Sequence, residues 1–258
     1  MIENEAETPL TSVPSFPIIR EVQTRQVFKW LALGFHDMRK AGFASLFYGV
    51  IFSAGGWLMY AVFSQAFGLF AGLTTGFLLL GPFLAMGLYD LSKQMELNQP
   101  PKLTPSLYAW HANVVNIGLF AGLLLIVLLV WARASLVIFA LFFEGGLPTF
   151  ADVVLNVIAL KQPTFTIIYF AVGGLFAGFV FAVSAIAVPL MADKKTDAVT
   201  AAIASVIACA RNPFSMALWA IAIVILVGIG FATSFLGLII TMPIVGHATW
   251  HVYRDLVE

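Results

Sequence analysis

Long runs of apolar residues that contain no charged side chain constrain this chain more than any other feature. Residues 43–65, 66–89 and 165–192 contain no Asp, Glu, Lys, Arg or His. A membrane-spanning helix needs about 20 such residues, because it rises 1.5 Å per residue through a hydrocarbon core about 30 Å thick. Barrel strands would alternate apolar and polar residues, whereas these runs are apolar on every face. The sequence therefore predicts an all-α, polytopic transmembrane helical bundle.

Three further runs bring the expected number of spans to about six. Residues 114–143 are apolar apart from Arg133, and residues 214–233 and 235–253 form a last pair around Ser234. The six spans are expected to pair as hairpins.

The composition agrees with a membrane protein and excludes several other classes. The chain is 61% hydrophobic and 10% charged, against roughly 25% charged residues in an ordinary soluble domain. Thirteen basic residues balance thirteen acidic ones, so no basic excess exists to bind nucleic acid. The single cysteine, Cys209, excludes an intrachain disulfide.

The distribution of Lys and Arg predicts the orientation. With six spans, eleven of the thirteen basic residues fall on the side that carries both chain termini, and only Lys161 and Arg133 fall on the other. The positive-inside rule then places both termini in the cytoplasm.

Amphipathic stretches suggest how the chain is organised. Residues 27–40 and 196–211 carry apolar side chains at helical spacing, interrupted by polar groups, and are expected to lie as interfacial helices on the cytoplasmic side. Residues 1–26 contain three prolines and are expected to form a flexible cytoplasmic tail. The remaining residues are expected to form one integral membrane domain, whose hairpin units cover about 27–90, 103–192 and 196–258.

Four histidines give the sharpest chemical signal. His247 and His251 are four residues apart, so they share a helix face and could chelate one metal ion. His36 and His111 are predicted on the same side of the membrane. The alternative is an interfacial belt of amphipathic rings formed with neighbouring Trp and Tyr side chains, which needs no ligand. The belt is the favoured interpretation, so no metal, cofactor or catalytic residue is assigned.

Charges and prolines inside the apolar runs are the remaining signals. Arg133 and Glu144 lie near the end of the third span, where a transport role competes with snorkelling to the interface. Pro82, Pro189 and Pro243 each interrupt the second span of a hairpin. Broken helices line transporter sites, but they are also common in ordinary helix packing.

Five motifs stand out along the second half of the chain, and they are Val188-Pro-Leu-Met-Ala-Asp193, Thr196-Asp-Ala-Val-Thr200, Arg211-Asn-Pro213, Ala217-Leu-Trp219 and Gly246-His-Ala-Thr-Trp-His-Val-Tyr-Arg-Asp255. They resemble an uncharacterised family of bacterial integral membrane proteins, a domain of unknown function, some members of which are labelled cytochrome c oxidase subunit I. The resemblance extends from about Gly34, and its most specific part is residues 246–255. It implies a multi-span helical protein of the inner membrane and supplies no catalytic residues. An oxidase subunit needs more histidine ligands than the four present here.

Two functions remain open at this point. Signatures of soluble enzymes, such as G-x-S-x-G, H-E-x-x-H and the P-loop, are missing, so an enzyme is not expected. The leading hypothesis is an accessory or assembly component of a larger membrane complex, such as a respiratory one. The alternative is a small-molecule or lipid transporter, which the prolines and the hairpins favour. The lipid bilayer is the one partner expected in either case.

Overall fold

The computed structural model describes residues 16–63, 84–143 and 162–258. These residues form helices joined by short connections, which confirms the all-α prediction. The helices are α1 (Gln26–Ala41), α2 (Phe43–Phe63), α3 (residues 84–96), α4 (Leu103–Leu107), α5 (Val114–Phe142), α6 (Pro163–Ser184), α7 (Ala187–Lys194), α8 (Ala198–Arg211), α9 (Pro213–Ala232) and α10 (Leu238–Leu256), with a 3₁₀ turn at Ala109–Asn113.

Four segments of the described chain are long and apolar enough to cross a membrane. Each corresponds to a predicted span, whereas the predicted span at residues 66–89 falls mostly outside the described residues. A multi-span membrane protein is therefore supported. The four segments are Phe43–Ala61, Ala109–Phe142, Pro163–Lys194 and Pro213–Ala232.

The predicted sixth span, residues 235–253, corresponds to α10, which is not among these four segments. Its first half is apolar, but its second half carries two histidines, Arg254 and Asp255. Most of its side chains are buried against other helices. The count of six spans is therefore not confirmed, because protein rather than lipid covers the polar half of α10.

Glycines allow α1 and α2 to pack closely on α10. A Cβ atom on Gly34 of α1 would lie 2.7 Å from the backbone nitrogen of Ala248, and a Cβ atom on Gly49 of α2 would overlap the carbonyl oxygen of Ile239. Helix backbones can approach this closely only where no side chain intervenes. α1 thus covers the second half of α10, and α2 covers the first.

Pro243 lies inside α10 at this contact. Proline has no N–H, so the carbonyl of Ile239, four residues earlier, lacks its usual helical donor. Gly49 approaches that same carbonyl, and a Cα–H of glycine is a weak donor of the kind found at helix interfaces. The interruption at Pro243 therefore coincides with a helix contact. Pro189 lies in the first turn of α7, where its missing N–H would be unpaired in any helix, and Pro82 lies outside the described residues.

The two predicted amphipathic stretches form α1 and α8, and α8 packs in an unusual way. Three of its alanines, Ala201, Ala204 and Ala208, are fully buried, whereas its larger side chains Val199, Ile203 and Val206 are exposed. A soluble protein would bury the larger ones. The exposed stripe indicates an apolar surrounding for this face.

Helices α5 and α6 form an antiparallel pair joined by aromatic contacts. The ring of Phe139 lies 5.4 Å from the rings of Phe165 and Tyr169, measured between centroids. Trp131 lies 5.4 Å from Tyr169 in the same way. Arg133 is exposed on α5, and Glu144 lies outside the described residues.

Residues 16–26 lie in the segment that the sequence predicts as a flexible tail, yet part of this stretch is held firmly. Ile19 is buried and forms an antiparallel β-bridge with Val257. The side-chain amide of Asn212 accepts from Val22 N at 2.7 Å and donates to Arg20 O at 3.0 Å. Asn212 thus bonds this segment as a neighbouring strand would, and joins it to the turn between α8 and α9.

Candidate functional site: a buried histidine network

The second half of α10 brings polar groups from four helices together around His247. Asp37 comes from α1, Ser45 from α2 and Ser92 from α3, and all three are buried. His247 is completely buried, and His251 lies one turn further along α10 with 22% of its side chain exposed. The i, i+4 spacing places both imidazoles on one helix face, as the sequence predicts.

The distances form one continuous chain of hydrogen bonds. Ser45 Oγ lies 2.6 Å from His247 Nε2, and Ser92 Oγ lies 2.7 Å from His247 Nδ1. Asp37 Oδ2 accepts from Ser92 Oγ at 2.8 Å and lies 2.9 Å from His251 Nε2. Five side chains are thereby linked from the start of α2 to the rim of the bundle.

The donor and acceptor inventory fixes the tautomer of His247. Ser92 has one hydroxyl proton, which it donates to Asp37, so its oxygen accepts from His247 Nδ1–H. The neutral ring then accepts at Nε2, and Ser45 is its donor. All bonds therefore point the same way, from Ser45 through His247 and Ser92 to the carboxylate of Asp37.

Burial and hydrogen bonding set the charges along this chain. Burial lowers the pKa of His247 to about 4, so the ring is neutral at pH 7. Burial alone would raise the pKa of Asp37, but the hydrogen bonds from His251 and Ser92 outweigh it and hold this pKa below its ordinary value. The network thus contains one carboxylate and a neutral buried imidazole.

This arrangement joins helices more readily than it binds a ligand. Both ring nitrogens of His247 already have protein partners, and so does the hydroxyl proton of Ser92. Among the described residues, no three His, Cys, Asp or Glu side chains are grouped to hold a metal ion. Its chemistry is therefore that of a polar connection between α1, α2, α3 and α10.

The other two candidate histidines make different contacts. His36 lies on the exposed side of α1. His111 is exposed in the 3₁₀ turn, where its ring centroid lies 3.7 Å from that of Trp110 and 5.6 Å from that of Tyr108. The aromatic partners predicted for an interfacial belt are therefore present at His111. The four histidines are divided between the network and the exposed surface.

A second polar cluster lies beside the network, around Asp193 of α7. Asp193 accepts from Lys93 Nζ at 2.6 Å and from the Tyr253 hydroxyl at 2.7 Å. Arg254 lies 3.7 Å from Asp193 and 2.7 Å from Glu96. Two cations thus balance two anions where α3, α7 and α10 meet.

A third polar contact ties α1 to the end of α10. Trp30 is completely buried, and its indole N–H donates to Asp255 Oδ2 at 2.8 Å. Gln26 Nε2 donates to the same oxygen at 3.4 Å. Together with Asp37, these contacts fix α1 to α10 at both ends.

Sequence reasoning identified His247 and His251 but not the partners that give them their roles. Ser45 and Ser92 are ordinary hydroxyl residues of apolar helices, and nothing in their local sequence distinguishes them from other serines. Asp37 could have been singled out from the sequence, because it is the only acidic residue of α1 and lies on the same helix face as Trp30. A carboxylate on the apolar face of a helix indicates a buried partner.

Comparison with known proteins supports the membrane class. Residues 69–193 match the family DUF2189, described as "Predicted integral membrane protein". This match confirms the resemblance to an integral membrane family of unknown function; the oxidase label does not appear in it. Of the histidine network only Ser92 falls within the matched DUF2189 region, and the motif at residues 246–255 lies outside it. No curated protein and no solved structure matches the chain.

Proposed function

We propose that the chain is a non-enzymatic protein of a bacterial inner membrane that acts as an accessory or assembly component of a larger membrane complex. One observation carries the proposal: the apolar surface of α5 is longer than a bilayer can cover. The hydrogen-bonded state of His247 adds support, because a ring with both nitrogens engaged is suited to joining helices.

The length of α5 supports a protein partner. Its 29 residues span about 43 Å at 1.5 Å per residue, whereas the hydrocarbon core is about 30 Å thick. To fit within the hydrocarbon core by tilting alone, α5 would have to lean about 45° from the bilayer normal, beyond the usual range of about 0–40°. Beyond Arg133, Val137 and Leu141 remain 59% and 75% exposed. An apolar partner surface would cover them.

Purification in mild detergent tests this role. The protein is expected to migrate with a second membrane complex in fixed stoichiometry. The double variant Val137→Asn and Leu141→Asn should lose that association, whereas Val115→Asn and Leu119→Asn, at exposed positions near the other end of α5, should keep it. Migration of the wild type alone would refute the accessory role. Solute or lipid flux through vesicles containing the protein alone would then support transport.

We also propose that both termini are cytoplasmic and that α1 and α8 lie along the cytoplasmic interface. The eleven basic residues on the terminal side and the exposed apolar stripe of α8 support this placement. Reporter fusions after Glu258 and within residues 64–66 are expected to lie on opposite sides of the membrane. The same side for both would refute the orientation together with the predicted span count.

A further inference from the structure

The side of α1 that faces away from α10 combines aromatic and basic residues. Val27, Trp30 and Gly34 face the bundle and are buried. Phe28 and Phe35 remain 67% and 45% exposed. Four basic residues at or near the two ends of α1 are also exposed on this side, and they are Arg25, Lys29, Arg39 and Lys40.

The positions of these residues around the helix axis separate them into two strips. At about 100° per residue, Phe28 and Phe35 lie within about 20° of each other. Lys29 and Lys40 lie about 100° further round the helix by the same spacing. Arg39 lies between the strips, and its guanidinium carbon is 5.7 Å from the centre of the Phe35 ring. An aromatic strip thus runs beside a basic strip.

The charge of this surface has one sign. The only acidic residue of α1 is Asp37, which is buried and bonded to Ser92 and His251. No carboxylate of α1 therefore balances its exposed cations. The complementary partner is anionic and has an apolar part that accepts aromatic rings, which is the chemistry of an anionic phospholipid.

The position of α1 in the chain favours lipid over an acidic soluble protein. Gly42 alone separates α1 from α2, whose residues Phe43–Ala61 are long and apolar enough to span the membrane. Phe43 is 77% exposed and is the first residue of that segment. The end of α1 that carries Arg39 and Lys40 is therefore adjacent to the end of a span, where headgroups lie.

We infer that the exposed side of α1 is a binding surface for anionic phospholipids, with Phe28 and Phe35 among the acyl chains and the four cations at the phosphates. This inference rests on the proposed interfacial placement of α1 and does not depend on the accessory role. The chain supplies a comparison helix: α8 exposes an apolar stripe, and its one basic residue is the last one, Arg211, whose guanidinium donates to Ile19 O. Lipid charge should therefore affect α1 and not α8.

An environment-sensitive fluorophore on an introduced cysteine tests the inference in the full chain. Ala32→Cys lies on the exposed side of α1 and Ala210→Cys on that of α8, each in a Cys209→Ser background. The protein is reconstituted in nanodiscs of phosphatidylcholine alone or with about one third phosphatidylglycerol. The probe at position 32 should shift to the blue with phosphatidylglycerol, and binding should favour the anionic lipid by about tenfold or more. The probe at position 210 should not respond.

The matched variant replaces Arg25, Lys29, Arg39 and Lys40 with Gln. It should abolish the response at position 32 while leaving the emission at position 210 unchanged, which also shows that the protein has folded. Equal blue-shifted emission in both lipids would overturn the anionic preference but keep the interfacial placement. Emission typical of water in both lipids would overturn both. Stoichiometric binding of an acidic soluble protein to α1, abolished by the same variant, would also overturn the inference.

Discussion

The Cα of Gly49 rests against the backbone carbonyl of Ile239, with no room for a side chain between them. This contact places two helices from opposite ends of the chain in direct backbone contact. It also supplies a neighbour to the carbonyl that Pro243 leaves without a donor. A polar backbone group in an apolar bundle is thereby covered at the place where the helix is interrupted.

Gly49→Ala should therefore destabilise the protein. The added methyl group would force α2 away from α10, at a cost of about 1–3 kcal/mol as in other overpacked cores. Thermal unfolding in detergent should show a melting temperature several degrees below that of the wild type. Gly118→Ala is the control, because a Cβ atom there meets nothing within 4 Å. Equal melting temperatures for the two variants would contradict the close packing.

The stability should fall as the pH falls from about 6.5 towards 4. In the unfolded chain a histidine titrates near 6.5, whereas burial lowers the pKa of His247 to about 4 in the fold. Between these values the unfolded state binds more protons, so acid favours unfolding. The pKa of Asp37 is also lowered in the fold, so the loss of folding stability should continue at more acidic pH.

Unfolding by denaturant at several pH values measures this dependence. The variant His247→Gln should be less stable at pH 7, because it disturbs two hydrogen bonds, and its stability should change less between pH 6.5 and 4. A slope identical to that of the wild type would show that His247 is not the group responsible.

Asp37→Asn should weaken the network more than the loss of a surface charge would. The carboxylate accepts from Ser92 and lies within hydrogen-bonding distance of His251, and a hydrogen bond to a buried charge contributes about 1.5–3 kcal/mol. We expect a loss of that size in the free energy of unfolding. Asp197→Asn is the control, since its exposed side chain caps α8 and asparagine caps equally well. Similar stability for both variants would argue against the network.

Asn212→Ala should release the segment that Asn212 binds. Without the amide, Val22 N and Arg20 O lose their partner, so residues 16–25 should detach more often. Limited trypsin digestion should then cleave after Arg20 and Arg25 several times faster than in the wild type. Gln99→Ala, at an exposed position, should leave the rate unchanged, and an unchanged rate for Asn212→Ala would refute the role of this residue.

Hydropathy was sufficient to locate the long helices, because a span of about 20 apolar residues has few alternatives. It located α5 and α9 within a few residues, and the amphipathic stretch at residues 27–40 became α1. Hydropathy also predicted a span at α10, whose first half has the composition of one, and the structure does not confirm that span. The polar half of α10 is buried by side chains from three other helices. The local composition of α10 cannot reveal these contacts.

The site shows the same division between local and long-range information. The shared face of His247 and His251 followed from helical spacing alone. Their bonds to Ser45 and Asp37 cross 202 and 214 residues of sequence, so no local pattern could reveal them. The argument for a structural role of His247 rests on those distant partners.

These sequence separations have a consequence for the order in which the protein is made. Asp37, Ser45 and Ser92 leave the ribosome long before His247, which completes their hydrogen bonds. Until α10 is inserted, water, the insertion machinery or a chaperone must supply hydrogen-bond partners for the Asp37 carboxylate and the hydroxyls of Ser45 and Ser92. Insertion of α10 is then the step that closes the bundle. A chain stalled before this helix would present unpaired polar groups at the membrane, a state that quality-control proteases could recognise.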